Sequence, residues 1–527
     1  MTEATRTESG TEDTALQPPT DDYRYQPRSH PQGKAAFVMC STGESVSFAD
    51  LEAVANQGAH LLRSLGINTG DHIALLMENR REFLEICFAA DRSGVYYTTI
   101  STHLGFSEID HILKDCGARV LIGSEKYLPT LNQLFENHSE QCRFFLVGGE
   151  QPGIDSWTDA LQVMPTSPIA DEKQGLDMLY SSGTTGRPKG IKWPQADEPP
   201  GGRTMLIDLL ASLFGYDADT RYLSPAPLYH AAPLRHSMVT MKMGGTAYIM
   251  DRFNAEESLR LIEEHRITHS QWVPTMFVRI LKLPKEKRSH FDLSSMTMAV
   301  HAAAPCPIDI KQQMIDWWGE IIHEYYAGTE NNGFAAITSA EWLKHPGSVG
   351  KVKLGIPHIC DEAGEELPVG SEGEVYFENG HQFLYHNDPE KTRSACNRQG
   401  WTTLGDIGRL DEEGYLYLTD RKSFLIISGG INIYPQETEN VLLGHPSVLD
   451  AAVIGVPDED FGESVQAVVQ LVPTIEATDQ LAEDIIGYCR DKLSAIKCPK
   501  AVDFRQTLPR SATGKLYKKQ LKEEYWS

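Results

Sequence analysis

The chain predicts an α/β fold: a large N-terminal unit of helix-covered sheets and a smaller α+β unit after it. Three observations carry this expectation. Strand and helix signals alternate between residues 72 and 123, which in a soluble chain means a parallel sheet covered by helices. The texture changes near Asp420, where long periodic segments give way to shorter elements. A length of 527 residues exceeds what one core ordinarily organises.

The elements follow in order. Residues 1–25 are polar, rich in Pro, Thr and Glu, and lack an apolar centre. They are expected to be a disordered tail, not a signal peptide. His72–Met77 is a compact apolar run suited to a buried strand. Arg81–Ser93 has helical spacing through Phe83, Ile86 and Cys87, and Gly94 closes it. Val95–Ile100 has the β-branched and aromatic content of a strand. Ser107 is the expected N-cap of a helix carrying Ile109, Ile112, Leu113 and Cys116 on one face. Gly117 stops that helix, and Val120–Gly123 is the next strand. Beyond Asp420 the expected elements are a strand over Phe424–Ile427, a helix over Pro435–Leu443, a hairpin around Gly455–Asp458, and a helix from Asp479 to about Leu493.

Composition narrows the function classes. No apolar run is long enough to span a bilayer. The nine cysteines are odd in number and no two stand in a metal-type C-x-x-C, so reduced thiols in a cytoplasmic protein are expected. The chain ends Tyr525-Trp526-Ser527, which is no peroxisomal address. A net charge of −25 argues against nucleic acid, which needs a basic face. It does not argue against a small anionic nucleotide held by a local loop.

Such a loop is visible. After the strand-like Leu176–Leu179 comes Tyr180-Ser-Ser-Gly-Thr-Thr-Gly-Arg-Pro-Lys-Gly190. Gly183 and Gly186 let backbone N–H groups turn inward as an anion cradle, and Ser181, Ser182, Thr184 and Thr185 add hydroxyls. Lys189 adds a point charge for phosphate oxygens. The spacing is not that of the Walker loop, since no Ser or Thr follows Lys189.

This segment resembles the phosphate loop of the ANL superfamily of adenylate-forming enzymes, and the resemblance extends from about residue 45 to the C-terminus. Tyr326-Ala-Gly-Thr-Glu330 resembles the family's second signature, with Ala327 where Gly is commoner. The resemblance implies that Tyr326 stacks on adenine, Thr329 bonds a phosphate oxygen and Glu330 offers carboxylate oxygen to Mg²⁺. His301-Ala-Ala-Ala-Pro305 resembles the small-residue turn covering the other adenine face through Ala303 and Ala304; a tight turn with packing alanines fits equally. Gly400-Trp-Thr-Thr-Leu-Gly-Asp406 resembles the ribose motif, with Leu404 replacing a hydroxyl residue. Asp406 would accept the ribose hydroxyls, and Arg421 would hold ribose or phosphate. Leu508-Pro-Arg-Ser-Ala-Thr-Gly-Lys515 resembles the motif carrying the catalytic lysine.

What the resemblance implies is a two-step, AMP-forming acyl-CoA ligase. MgATP and a small carboxylic acid give acyl-adenylate; coenzyme A then takes the acyl group. Lys515, Thr184, Glu330 and His230 would be catalytic. The family layout is a domain at 26–419, a hinge at 420–423 and a mobile domain at 424–527, with Ser423 where Asp or Lys is usual. Gly429 and Gly430 would let the pantetheine arm pass; Phe461 and Lys500 would meet the rest of CoA. Pro227-Leu-Tyr-His230 resembles the motif beside the acyl pocket. Amino-acid-activating relatives carry Asp at the His230 position, so amino acids are disfavoured; gating, a carboxylate contact and a structural role all suit His230. Gln271–Phe277 is expected to help line an apolar pocket for a fatty, aryl or sterol side-chain acid. Transfer to a carrier protein is the alternative, and a non-catalytic acyl- or nucleotide-binding homologue is another. A homodimer is one candidate assembly.

Overall fold

The structure, a computed structural model, describes residues 26–181, 188–195, 200–202, 204–381, 383–510 and 516–526. The stretch 1–25 lies outside the described residues.

The alternation read between residues 72 and 123 builds a six-stranded sheet, parallel throughout. Its order is Asp155–Ser156, Arg143–Val147, Val120–Ser124, His72–Leu76, Tyr96–Thr99, Leu176–Asp177. His72–Leu76, Tyr96–Thr99 and Val120–Ser124 are buried along their whole lengths, as near-continuous apolar runs in a covered parallel sheet require. The helix Arg81–Arg92 buries Phe83, Ile86 and Cys87 as the spacing predicts. The next helix runs Phe106–Cys116 and is capped at Gly105, two residues before the expected Ser107. Glu108 reaches back to accept the Gly105 N–H at 3.0 Å, so the helix begins earlier. Gly117 closes it with φ +63°, the left-handed conformation glycine adopts cheaply.

A second, thirteen-stranded sheet is parallel on one side and antiparallel on the other. The parallel part includes Arg221–Ser224, His269–Trp272, Met298–His301 and Ile322–Ala327. The antiparallel part runs from Phe334–Ile337 through Ser348–Leu354, Tyr415–Arg421 and Thr402–Leu410 to Gly373–Glu378 and Ile356–Cys360. The C-terminal ends of the parallel strands therefore sit beside Asp406 and Arg421, which are register partners on adjacent antiparallel strands. Open sheets bind ligands at such ends.

The smaller C-terminal domain has a five-stranded sheet backed by the helices Pro435–Leu443 and Asp479–Arg490. Two expectations shift here. Lys422–Phe424 is a 3₁₀ turn, so the strand expected at Phe424 begins at Ile426. The hairpin Val448–Asp458/Gly462–Leu471 turns just after Asp458, at the far end of the expected Gly455–Asp458 stretch. The Asp458 carboxylate accepts the N–H groups of Asp460 and Phe461 at 3.1 and 3.0 Å and so fixes the bend. No helix among the described residues is long and apolar enough to cross a membrane. All nine cysteines are free thiols, and Cys396 alone is exposed.

The core carries a pH signature. His236 is buried, with its Nδ1 hydrogen-bonded to the Tyr216 hydroxyl at 2.6 Å. Burial drives it down from 6.5 to about 3, and drives His301 well below 6.5. Between those values and 6.5 the unfolded chain binds more protons. Stability is thus fully present above pH 6.5 and falls as pH drops below it, by about 1.4 kcal/mol per pH unit for each group. Urea unfolding between pH 7.5 and 5 is expected to show this loss. His236→Gln, which keeps a hydrogen-bonding partner for Tyr216, is expected to lessen the slope by one proton.

Candidate active site

Two adjoining cavities lie between the large sheet and the C-terminal domain, of about 530 and 230 Å³. They share Ala303, Ala327 and Arg421. Ser181, Lys189, His230, Thr329, Glu330 and Tyr517 face the larger. Ala304, Tyr326 and Asp406 face the smaller. Ser182, Gly183, Thr184, Thr185, Gly186 and Lys515 fall outside the described residues. Every described residue expected at the nucleotide thus reaches one of two connected spaces.

The smaller cavity is built from strand ends. Met298–His301 ends in the turn at Ala302–Pro305, where Ala303 has φ +75°. A non-glycine residue there is strained, and alanine is the side chain that keeps the strain and bulk small. Beneath the turn a buried group anchors it. Lys311 donates to Glu324 Oε2 at 2.5 Å, with His301 Nε2 3.4 Å from the same oxygen. The Tyr326 hydroxyl donates to Asp406 Oδ2 at 2.6 Å, and Arg421 Nε donates to Asp406 Oδ1 at 2.9 Å. Asp406 is thereby held in place, and each carboxylate oxygen keeps a second lone pair for a ribose hydroxyl.

Two departures from the family pattern meet in space. A Cβ on Gly328 would stand 2.2 Å from Leu404 Cδ1. Leu404 occupies the space beside residue 328, so the glycine displaced by one position from the usual pattern is the partner of the unusual leucine.

The larger cavity gathers Lys189, Lys391, Arg421 and Lys422. Lys189 opens the strand Lys189–Lys192, which pairs antiparallel with Leu179–Ser181 and with Leu384–Tyr385. Lys189 Nζ lies 5.4 Å over the Tyr385 ring, whose hydroxyl donates to Glu330 Oε1 at 3.0 Å. Burial and the adjacent Lys391 ammonium bring Lys189 down to about 8. Tyr385 and Lys391 were not found in the sequence. Their link to the loop is a strand pairing between residues almost 200 positions apart, which leaves no local signal.

Glu330 is the one residue expected to hold metal, and the donor set fits that use. It is buried beside Thr329, and the described residues contain no group of three or more His, Cys, Asp or Glu able to cage an ion. A single carboxylate with phosphate oxygens is the arrangement Mg²⁺ accepts.

His230 caps the helix Ala231–Lys242 and faces the larger cavity. Its loop is pinned by buried Asn79, which donates to Ala226 O and Met250 O and accepts the Leu228 N–H at 2.7 Å. Of Gln271–Phe277, the side chains Trp272, Val273, Met276 and Phe277 are packed in the core. Only Pro274 and Thr275 of that run face a cavity, so its large residues are structural. Gly429 and Gly430 are exposed on the turn before Ile431–Ile433 and border neither cavity. The Gly429 N–H donates to Phe461 O at 2.8 Å, and Lys500 Nζ lies 5.0 Å over the Phe461 ring. Those three form one surface cluster on the C-terminal domain.

Residues 23–384 match the AMP-binding enzyme family and residues 437–515 its C-terminal domain. The chain is 31% identical over 505 residues to the long-chain-fatty-acid–CoA ligase FadD13 of Mycobacterium tuberculosis, covering 93% of this chain and 95% of that one. It is 32% identical to a feruloyl-CoA synthase of Amycolatopsis sp. (92% and 94% covered) and 28% identical to the fatty acid–[acyl-carrier-protein] ligase ScoC of Streptomyces coeruleorubidus (93% of each). Among solved structures, the anthranilate CoA ligase AuaEII with anthranoyl-AMP superposes with a TM-score of 0.82 at 27% identity (95% and 96% covered). ATP-bound MatB from Rhodopseudomonas palustris gives 0.78 at 28% (94% and 96%). The chain belongs to the AMP-binding enzyme family, as an adenylate-forming acid–thiol ligase of the acyl-CoA synthetase kind.

Proposed function

We propose that this chain joins an apolar carboxylic acid to coenzyme A through an acyl-adenylate. The carrying observation is that Tyr517, two residues after Lys515, faces the same cavity as Lys189, His230, Thr329 and Glu330. A lysine brought to that cavity would serve the first half-reaction. The acid's carboxylate oxygen attacks the α-phosphorus of ATP, the bond to the β-phosphate oxygen breaks, and pyrophosphate leaves with the electron pair. Adenosine is held by the Tyr326–Asp406–Arg421 group and the Ala303–Ala304 turn. Bound Mg²⁺ at Glu330 supplies charge neutralisation to the phosphates. In the second half-reaction the CoA thiol, losing its proton, attacks the acyl carbonyl, and AMP leaves.

The exposed Gly429–Gly430 turn lies away from the cavities, which fits a chain poised for adenylation. A rotation at 420–423 then brings that turn, Phe461 and Lys500 inward for CoA. Ser423 suits such a hinge, which only has to absorb a backbone rotation.

The test is acid-dependent exchange of pyrophosphate into ATP, followed by assay of thioester with free CoA. Fatty, aryl and sterol side-chain acids are expected to support both, with an acid-specific rate. Exchange without acyl-CoA would favour a carrier-protein acceptor. Nucleotide binding with no exchange for any acid would favour a non-catalytic homologue.

A further inference from the structure

The cations around the larger cavity divide into two kinds. Arg421 and Lys422 are neutralised in place, by Asp406 and Glu374, each at 2.9 Å. Lys189 and Lys391 form no salt bridge among the described residues, yet both line the same cavity, and the Lys391 ammonium is one of the causes that lower Lys189. Both face the space shared with Ser181, Thr329 and Glu330.

The fold forces this pairing. The strand Leu384–Tyr385 is hydrogen-bonded to the strand that carries Lys189, in the register Ile191↔Tyr385. The short helix Pro389–Ser394 follows directly, fixed at its start by Asp388 Oδ1, which accepts the Lys391 N–H at 2.9 Å. Thr392 Oγ1 accepts the Tyr385 N–H at 3.0 Å and ties helix to strand. The backbone at Lys391 is therefore tied to the strand that carries Lys189. Two like charges facing one partly desolvated cavity repel. A surface lysine would swing away into water. A pair held together this way suits a ligand with at least two negative charges.

The adenosine-side groups Tyr326, Asp406 and Ala304 face the smaller cavity, and the lysine pair does not. The pair's polyanion is therefore the phosphate tail remote from the nucleoside. We propose that Lys391 acts with Lys189 to bind the β- and γ-phosphates of ATP and the departing pyrophosphate. As the α-phosphorus–oxygen bond breaks, the electron pair passes to the pyrophosphate oxygen, and the two ammonium groups neutralise that growing charge. No proton is transferred. This role rests on the ligase reading above.

The test uses the full chain and Lys391→Met, which keeps the length and removes the charge, with Lys391→Arg as the rescue. Calorimetry with inorganic pyrophosphate and magnesium reads the pair without turnover. Lys391→Met is expected to weaken pyrophosphate binding and raise the KM for ATP about tenfold or more. AMP affinity, the KM for the acid and thioester formation from supplied acyl-adenylate should stay within about twofold. Lys391→Arg should recover most of the loss. Unchanged pyrophosphate affinity in Lys391→Met would overturn the proposal, as would a parallel loss of AMP affinity, which marks a structural role. If the wild-type chain bound pyrophosphate through Lys391 but exchanged none into ATP with any acid, the ligase reading would fail while the lysine site stood.

Discussion

Lys515→Ala is expected to cut acyl-adenylate formation about 10²–10³-fold while leaving thioester formation from supplied acyl-adenylate within about threefold of wild type. The asymmetry follows from where charge develops. In the first half-reaction two anions approach, the carboxylate and the α-phosphate, and charge builds on the phosphorus-centred transition state. A cation there stabilises the transition state more than the separated reactants, so its loss appears in the rate. In the proposed second half-reaction the thiol attacks a carbonyl already activated, and the proposed rotation would put the Gly429–Gly430 turn in place of the lysine segment. The flanking structure makes the variant a fair test of chemistry. Arg510 and Leu516 bridge as an antiparallel pair, and Arg510 holds Asp450 with two bonds of 2.6 Å. Single-turnover assays of each half-reaction separate the outcomes. Equal losses in both would reject the assignment.

Much of this site was legible because adenylation needs particular residue types at particular turns. Glu330, Asp406 and Lys189 announce themselves by motif, and the structure brings each to connected cavities. What stayed hidden was the packing between motifs. Ala327-Gly328 and Leu404 read as two separate irregularities in the sequence, and only the approach of Leu404 to the Gly328 backbone joins them. Tyr385 and Lys391 were invisible for the same reason: their place depends on a strand pairing with Ile191 across the sequence. Asn79, which fixes the Pro227–His230 loop from beneath, sits after a strand of the other sheet and carries no motif.

The fold was read in the same way. Alternation in the covered parallel sheet was plain, because strands buried on both faces are written as continuous apolar runs. The errors came where side chains override local propensity. Glu108 moved a helix start from Ser107 to Gly105, and Asp458 set the hairpin turn at the far end of the Gly455–Asp458 stretch. The run Gln271–Phe277 looked like a pocket wall, but its aromatic side chains face inward to pack against Trp318 and the helix Ile308–Trp318.

Glu330→Gln is expected to lower adenylate formation about 10²-fold or more and to raise the magnesium concentration needed for half-maximal rate. The substitution keeps shape and an acceptor oxygen, so the Tyr385 hydroxyl still has a partner at the position now 3.0 Å from Oε1. Folding should be nearly indifferent, with the thermal midpoint of the metal-free protein within about 2–4 °C of wild type. What is lost is the negative charge that a hard dication prefers to a neutral amide. Tyr385→Phe separates orientation from charge. It removes the hydroxyl that steers Glu330 but leaves the carboxylate, so a smaller loss of about three- to tenfold is expected, with most of it recovered at high magnesium. AMP binding without metal should be unchanged in both variants, because the proposed adenosine site is formed by Tyr326, Asp406 and the Ala303 turn. Rates measured against magnesium concentration, with calorimetric AMP titrations, check all three outcomes. A Glu330→Gln protein with wild-type rate and wild-type magnesium dependence would show that the metal is held elsewhere.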